Sequence, residues 1–281
     1  MDQSMVELED EAAQIVKDIG IPPCPAVLTK LLQEMREEEP DFFKLGSLIG
    51  RDISLAAAML KTVNSPFYGL RTKATSVHQA IALLGSRNVA ELVTGLLLRD
   101  AFPGGTSDLM DEFWEYSSGI AQISANLAQK FRCVDHNAAY TFALFRDCGM
   151  LAMMGSFKSY KPVFAGAEEA AGTEITGRED ESHGMNHAWV GCLMAETWLL
   201  PDEICKAVLW HHNYSAVQDG RVDLPVASAK YIALALVAES IYVKKKLGID
   251  SADWRKNGAL ALQQLGLTED NIDAAAEVFN L

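Results

Sequence analysis

Apolar residues recur along most of this chain at the three- and four-residue intervals of an α-helix. The clearest case lies near the N-terminus, where one helix face is formed by Val27, Leu28, Leu31, Leu32 and Met35. Burial of such a face against a second element stabilises the helix. Alternating apolar and polar residues, which are typical of a half-buried strand, are scarce. The pattern therefore predicts an all-α fold.

Polar residues and glycine mark the boundaries of the first helices. Asp41, Ser54 and Ser76 stand where a side-chain oxygen can accept a hydrogen bond from the first turn of a helix. Gly85 is the predicted C-terminal cap of the helix that Ser76 begins. The apolar segment LVTGLLL, residues 92–98, has no polar face, so we expect it to be buried between two bundles.

The segment PGGTSD, residues 103–108, is the strongest linker signal in the chain, because proline and glycine interrupt helices. It separates an N-terminal helical half, residues 1–104, from a second half, residues 105–248. Residues 249–281 are predicted to form a C-terminal helical extension. We therefore expect two packed helical bundles with an appended segment.

Helical periodicity continues through the second half of the chain. Helices are predicted near residues 109–131, 135–154, 160–171, 186–199, 202–213, 223–247 and 268–279. The charged, glycine-containing stretch 168–181 is expected to hold a helix end and a surface loop.

Composition limits the classes of partner. The chain has 281 residues, and its 49% hydrophobic content is enough to bury a large core. Its net charge of −14 opposes direct binding to nucleic acid or to anionic lipid. No apolar run reaches the roughly 18 residues of a membrane span, and the acidic start is unlike a signal peptide. Five scattered cysteines without a CxxC pair indicate free thiols, so we expect a cytoplasmic protein that binds neither DNA nor membranes.

Several helices of the second half carry polar residues that can take part in chemistry. They are Asp147 in ALFRDCGML, His187 at the start of HAWVGCLMAETW, His211 and His212 at the end of AVLWHH, and Glu239 in IALALVAESIYV. Histidines and carboxylates that converge from facing helices form metal sites in helical bundles. Each residue also has a purely structural interpretation. Asp147 can pair with Arg146, and the ring of His187 can be solvated. His211 and His212 lie at a helix C-terminus, where the helix dipole favours positive charge, and Glu239 can face solvent. For any single residue, the structural interpretation is the more frequent one.

Longer motifs resemble the HDOD domain family. The N-terminal half of HDOD domains is similar to IGIPPCPAVLTKLLQEM, LIGRDISLAAAMLKTVNSPFYGL and VHQAIALLGSRNVAELV. The similarity continues through FALFRDCGML and HAWVGCLMAETWLLPDEICKAVLWHH, so that it covers most of residues 14–248. HDOD domains resemble derived relatives of the HD-domain metal-dependent phosphohydrolases. The resemblance implies an HD-domain-like second half and a bacterial signal-transduction protein that acts through contacts with other signalling proteins.

The resemblance also implies that the HD site is degenerate. HD hydrolases carry a His-Asp pair where this chain has Arg146 and Asp147, and an earlier helix histidine where it has Tyr116. Arginine stays protonated and offers no lone pair to a metal. If Arg146 points inward, it repels each unit charge of a cation about 4 Å away by about 4 kcal/mol at an effective dielectric of 20.

The residual pocket that the resemblance implies is formed by Tyr116, Arg146, Asp147, His187, His211, His212 and Glu239. No catalytic residue, metal or other cofactor is expected in it. The alternative is a metal-dependent phosphohydrolase or phosphodiesterase acting on a nucleotide. In that case Asp147, His187, His211 and His212 hold one Mn, Fe, Zn or Mg ion. A third interpretation, a DNA-binding regulator based on LGSRNVAELVTGL, is opposed by the net charge.

Overall fold

The protein is helical throughout the part of the chain that the computed structural model describes. It describes residues 19–35, 37, 39–64, 68, 70–102, 108–160, 172–218, 221–277 and 279. These residues contain no β-strand, so the predicted all-α class is confirmed. The chain forms two compact units, one spanning Pro23–Gly105 and the other combining Met1–Pro22 with Thr106–Leu281.

The part of the N-terminal unit that the structure describes forms five helices. They are α1 (Ala26–Met35), α2 (Phe42–Gly50), α3 (Ile53–Val63), α4 (Val77–Leu84) and α5 (Ser86–Ala101). The predicted caps Asp41 and Ser76 are confirmed, since each side chain accepts hydrogen bonds from the first turn of its helix. The prediction that Ser54 begins α3 is wrong. Asp52 caps that helix, because its backbone is extended and its carboxylate reaches the N–H of Leu55 at 3.0 Å.

Three observations define the interior of this unit. Gly46 of α2 lies so close to α4 that an added Cβ atom would meet the His78 ring at 2.6 Å. The amide of Asn64 bonds both the N–H and the carbonyl of Ala74 at 2.8 Å, which closes the loop between α3 and α4. Burial is confirmed for most of the apolar segment 92–98, namely for Leu92, Val93, Thr94, Leu97 and Leu98.

The C-terminal unit contains ten helices among its described residues. They are α6 (Asp108–Phe131), α7 (His136–Phe145), α8 (Cys148–Ser156), α9 (Gly172–His183), α10 (His187–Thr197), α11 (Asp202–Trp210), α12 (Tyr214–Gln218), α13 (Val226–Leu247), α14 (Ala252–Leu265) and α15 (Glu269–Ala276). Helix α13 is long and apolar enough by length and composition to cross a membrane. However, 83% of its apolar window is buried inside the fold, which is typical of a core helix.

Two predictions for the second half of the chain are wrong, and a third lies almost entirely outside the described residues. The single helix predicted for 135–154 is two helices, α7 and α8, because Asp147 leaves the helical conformation (φ −103°, ψ 7°). The surface loop predicted for 168–181 is wrong from residue 172 onward, where α9 begins. This helix buries little beyond Ile175 and Glu179, so its sequence lacks a strong apolar period. The helix predicted for 160–171 lies outside the described residues except for Tyr160, which is not helical.

Two glycines allow α8 and α10 to approach each other closely. A Cβ atom added at Gly149 would lie 2.0 Å from the carbonyl oxygen of His187 and 2.7 Å from the amide nitrogen of Gly191. Both atoms belong to the backbone, so no side-chain rotation relieves the overlap. This close approach fixes the start of α10, and therefore His187, against the start of α8.

Gly149→Ala is expected to destabilise the C-terminal unit by about 3 kcal/mol, because the helices must separate to admit the methyl group. Thermal unfolding followed by tryptophan fluorescence measures the loss. Gly155→Ala, in the same helix, is the matched control, because a Cβ atom there meets nothing within 4 Å. It should leave stability unchanged or raise it by up to about 1 kcal/mol. Equal melting temperatures for the two variants would contradict the close approach.

Candidate metal centre

Three breaks between helices bring four potential metal ligands together. Asp147 lies between α7 and α8, and His187 is the first residue of α10, behind the N-cap Asn186. His211 and His212 directly follow α11. One ligand atom from each of Asp147, His187, His211 and His212 lies within 4.8 Å of all the others.

The spacing of these atoms suits one metal ion. Asp147 Oδ1 lies 3.2 Å from His211 Nε2, 3.6 Å from His187 Nε2 and 4.0 Å from His212 Nε2. The Nε2 atoms of His187 and His212 are 2.9 Å apart. Two atoms that each bind an ion at about 2.1 Å lie about 3 to 4 Å apart for bond angles between 90° and 180°. The cluster therefore needs only a small contraction around an ion.

The outer nitrogen of each imidazole faces an oxygen acceptor. His211 Nδ1 lies 2.6 Å from the carbonyl oxygen of Val208, which can only accept, so Nδ1 carries the proton. Nδ1 of His187 donates to Glu179 Oε2 at 2.7 Å. Nδ1 of His212 faces Asp253 Oδ2 at 3.7 Å. Protonation of these outer nitrogens turns the Nε2 lone pairs toward Asp147, the arrangement in which histidine binds metals.

Inside the cluster, hydrogen-bond acceptors face one another. Burial, followed by neighbouring His212, lowers the pKa of His211 to about 3, so its Nε2 atom keeps a lone pair at neutral pH. This atom lies 3.2 Å from the Asp147 carboxylate. Burial alone would raise the pKa of Asp147, but Arg146 holds it well below its ordinary value. Two acceptors at this distance repel each other unless a proton or a metal ion lies between them, so the donor set fits a metal ion.

Glu179 supports the buried His187 in two ways. Its Oε2 atom accepts from the backbone N–H of His187 at 2.9 Å as well as from Nδ1, and its Oε1 atom accepts from the Tyr160 hydroxyl at 2.8 Å. Burial would raise the pKa of Glu179, yet its hydrogen bonds with His187 lower it, so the carboxylate is ionised. The sequence does not single out Glu179, because it lies in the polar helix α9, where the pattern predicts a helix end and a surface loop.

Arg146 points into the protein, which answers the question left open by the sequence. Its guanidinium bonds Asp147 Oδ2 at 2.9 Å and Glu239 Oε2 at 2.6 Å, and it donates to the Tyr116 hydroxyl at 3.3 Å. Only 6% of Arg146 is exposed. Burial would lower its pKa, but Asp147 and Glu239 raise it well above the ordinary value. A permanent positive charge therefore occupies the Tyr116 side of the cluster.

The structure brings all seven of the predicted pocket residues together and rejects the solvent-exposed alternatives for two of them. Glu239 is 4% exposed rather than at the rim, and burial raises its pKa although Arg146 partly offsets this. His187 is fully buried. The sequence did not indicate Asp253, which α14 contributes from the C-terminal extension. Burial alone would lower the pKa of His212, but Asp253 raises it above the ordinary value, so a metal ion would displace a proton from this ring.

The chain matches one family model and resembles several solved structures. The model of the HDOD domain family matches residues 21–214. A protein from Shewanella amazonensis, named as a candidate phosphohydrolase, superposes with a TM-score of 0.69 at 19% identity, covering 94% of this chain and 91% of that one. An HDOD domain protein of unknown function from Geobacter sulfurreducens gives 0.65 at 20% identity, with 96% and 97% covered. At these identities the likeness shows a shared fold.

A third structure and two sequence relatives are longer than this chain. The structure, from Marinobacter aquaeolei VT8 and named as a candidate signal transduction protein, gives a TM-score of 0.67 at 19% identity, covering 94% of this chain and 57% of that one. A Treponema pallidum protein is 22% identical over 231 residues, which are 74% of this chain and 42% of that one. Bacillus subtilis YuxH is 35% identical over 101 residues, covering 36% and 24%. The chain spans less than half of either sequence relative.

Proposed function

The chain belongs to the HDOD domain family, and from that premise we propose that it is a bacterial signal-transduction protein whose HD-type site binds one divalent metal ion without hydrolysing phosphate esters. Its output is contact with other signalling proteins in the cytoplasm, and neither DNA nor a membrane is a partner. The name of the Marinobacter protein of the same fold supports a signalling role.

The observation that carries this proposal is the position of Arg146. Its guanidinium lies between Asp147 and Glu239, beside Tyr116, where the HD resemblance would place two histidines of a two-metal site. Because the guanidinium supplies one positive charge and no lone pair, it balances the carboxylates without activating a water molecule. A site in which Arg146 replaces one of two metal ions lacks the clamp that stabilises both oxygens of a phosphoryl transfer.

We propose that the opposite side of the cluster holds a metal ion, although the sequence predicts a pocket without one. Asp147 Oδ1 and the Nε2 atoms of His187, His211 and His212 would be its ligands. Three imidazoles and one carboxylate suit Zn, Mn or Fe. The ion would supply a Lewis acid and fix the three imidazoles around it. Glu179 and Asp253 orient two of these imidazoles.

Metal analysis and a hydrolysis assay on the same sample test the proposal. We expect one equivalent of Mn, Fe or Zn per chain after loading and dialysis, and no turnover of bis(p-nitrophenyl) phosphate above a metal-free control. His187→Ala should lose the metal. An absence of stoichiometric metal in the loaded protein would refute the binding part of the proposal.

A metal-dependent phosphohydrolase is the second candidate, favoured by the inward lone pairs and by the name of the Shewanella protein. The remaining ligands could hold an ion whose bound water has a pKa near 7. Turnover by the loaded wild-type protein that Asp147→Ala abolishes would favour this candidate over the non-catalytic one. Retained turnover in Asp147→Ala would instead indicate a contaminating enzyme.

Exposed apolar side chains on the N-terminal unit are consistent with protein contacts. Phe42, Phe43 and Ile53 are 55%, 78% and 83% exposed. They lie at the starts of α2 and α3. Phe42 and Phe43 are adjacent in the sequence, and clustered exposed apolar side chains are characteristic of interaction surfaces.

Glu179→Gln is expected to weaken metal affinity about 10- to 100-fold while leaving all four ligands in place. The amide keeps the shape of the carboxylate, but it no longer favours a protonated Nδ1 on His187. Competition with a fluorescent chelator measures the affinity. Glu181→Gln, an exposed position on the same helix, is the control and should not change it. Equal metal affinity in the two variants would show that Glu179 does not support the metal site.

A further inference from the structure

A cavity of about 670 Å³ is lined by residues from the end of α9, the start of α10 and the end of α11, and the proposed function does not use it. Sites for small molecules have volumes of about 300–1,000 Å³. The described residues of the lining include Asp180, Trp189, Trp210, His212 and Asn213. Of the four cluster residues, only His212 is among them. The chemistry of the cavity therefore depends on its own walls rather than on the metal ligands.

The side chains of these walls favour a positively charged ligand. Asp180 supplies a carboxylate, and no lysine or arginine is present among the described lining residues. The ring nitrogens of His212 face His187 Nε2 at 2.9 Å and Asp253 Oδ2 at 3.7 Å. Both of these neighbours lie outside the described lining, so the nitrogens of His212 are engaged elsewhere. An anion in the cavity would meet the carboxylate without a compensating cation.

The helix ends around the cavity add to this preference. Helices α9 and α11 each contribute residues of their last turn, and the C-terminal end of a helix carries partial negative charge. Helix α10 contributes its N-terminus, which carries partial positive charge. However, the N–H groups of His187 and Trp189 already donate to side-chain oxygens at 2.9 and 3.0 Å. These two donors are not available to an anion.

Asp180 is held in place and keeps free acceptor positions. Its two carboxylate oxygens accept from the side-chain amide of Asn186 at 2.9 and 3.1 Å. Asn186 is itself fixed, because its carbonyl oxygen caps α10 by accepting from the N–H of Trp189. An ionised carboxylate has about four acceptor positions, so lone pairs remain for a ligand. Asp180 is exposed, so a ligand can reach it from solvent.

Two indole rings give the cavity an aromatic wall. Trp189 of α10 and Trp210 of α11 both line it, and both are only partly buried. A cation over the face of an aromatic ring is attracted by the electrons of that face, and tryptophan gives the strongest attraction. A carboxylate and two indoles in one cavity are therefore complementary to an organic cation.

We propose that this cavity binds a guanidinium group, which belongs to an arginine side chain or to a small guanidino compound. The planar cation lies against the indoles of Trp189 and Trp210, and its N–H groups donate to Asp180. A guanidinium has five N–H donors, no acceptor and a flat face that stacks on aromatic rings, whereas an ammonium group is a compact charge without such a face. The inference goes beyond the proposed function and does not depend on the metal ion.

Titration of the full-length protein with N-acetyl-L-argininamide tests the inference. We expect saturable binding at one site per chain, measured by calorimetry and by quenching of tryptophan fluorescence. N-acetyl-L-citrullinamide has nearly the same shape but a neutral urea group. It should bind at least about tenfold more weakly, since hydrogen bonds between charged groups are about twice as strong as neutral ones. Tetramethylammonium has the charge but no N–H donor, so it should also bind at least about tenfold more weakly.

Variants of the cavity walls locate the binding site. Asp180→Asn should weaken binding of N-acetyl-L-argininamide at least about tenfold, because it removes the charge and keeps the shape. Glu181→Gln is the control, since it removes the same charge at an exposed neighbour outside the described lining, and it should bind like the wild type. Trp210→Leu should weaken binding about fivefold by removing an aromatic face. Trp254→Leu, which removes a partly buried indole outside the described lining, should not. Melting temperatures show that each variant is folded.

Two further guanidino compounds identify the source of the cation. Agmatine and free arginine represent small molecules, whereas the capped N-acetyl-L-argininamide imitates an arginine side chain within a protein. Tighter binding of the capped compound supports the proposal with a partner protein as the source. Tighter binding of agmatine or arginine supports it with a small molecule as the source.

The outcomes separate this inference from the metal assignment. The guanidinium proposal is overturned if none of the guanidino compounds binds saturably, or if the citrulline compound or tetramethylammonium binds equally well. Unchanged binding to Asp180→Asn also overturns it. Metal-free and Mn-loaded protein should both bind the probe. A failure to bind Mn therefore leaves the guanidinium proposal standing, and a failure to bind guanidino compounds leaves the metal proposal standing.

Discussion

Replacing Arg146 with methionine is expected to destabilise the metal-free C-terminal unit by about 3–5 kcal/mol, because it leaves two buried carboxylates without their cation. In the wild-type protein this guanidinium contacts both Asp147 and Glu239, and all three side chains are less than 10% exposed. Methionine has a similar length, so the loss reflects charge more than packing. The expected fall in melting temperature is about 10 °C.

Tryptophan fluorescence is a selective probe for this measurement, because all five tryptophans belong to the C-terminal unit. Adding Glu239→Gln to Arg146→Met should restore part of the lost stability by removing one of the uncompensated charges. The control is Lys206→Met, which breaks an exposed pair with Asp202 and should change stability by less than about 1 kcal/mol. If the melting temperature of Arg146→Met lies within about 2 °C of the wild-type value, the ion pairs of Arg146 do not stabilise the unit by the expected amount.

Restoring both histidines should create a second metal site. The double variant Tyr116→His, Arg146→His removes the permanent cation and adds two nitrogen donors next to Asp147 and Glu239. We expect it to bind two equivalents of Mn, and the wild type to bind one. Tyr116→His alone still has the guanidinium in place, and Arg146→His alone has one nitrogen donor too few. The two changes act on one cluster, so their combined effect should exceed the sum of the single effects.

Calorimetric titration of the wild type, both single variants and the double variant decides this prediction. The control is Arg146→His combined with Tyr116→Phe in place of Tyr116→His. Phenylalanine at position 116 removes the hydroxyl without adding a metal donor there. Circular dichroism at the titration temperature shows that each variant is folded. One equivalent in the double variant, or two equivalents in either single variant, would show that Arg146 and Tyr116 do not jointly replace the second metal.

The helical class and most helices could be predicted from the sequence, because each depends on local periodicity and on polar caps. Asp41 and Ser76 cap helices as expected, since capping involves only neighbours within one turn. The failures also have local causes. Ser54 resembles a cap, but the nearby Asp52 takes that role. The pattern does not predict helix α9, because a helix with one narrow buried stripe has a weak apolar period.

The sequence by itself determined which residues could carry chemistry in this protein. It indicated the histidines and carboxylates of the pocket, and the resemblance added that Arg146 and Tyr116 stand where HD enzymes have histidines. It could not determine the direction in which Arg146 points or the contacts of Glu239, because both depend on side-chain packing across several helices. Nor did it indicate Glu179, whose contact with His187 links the end of α9 to the start of α10.

Only the tertiary structure supports the proposal that the cluster holds one metal ion. That proposal depends on which nitrogen of each imidazole faces inward, and this is set by the partners Val208, Glu179 and Asp253. Only Asp253 is far from its histidine along the chain, but all three contacts act over about 3–4 Å and depend on how the chain packs. The periodicity of the sequence records which side of a helix is buried, and it contains no information about which atoms meet there.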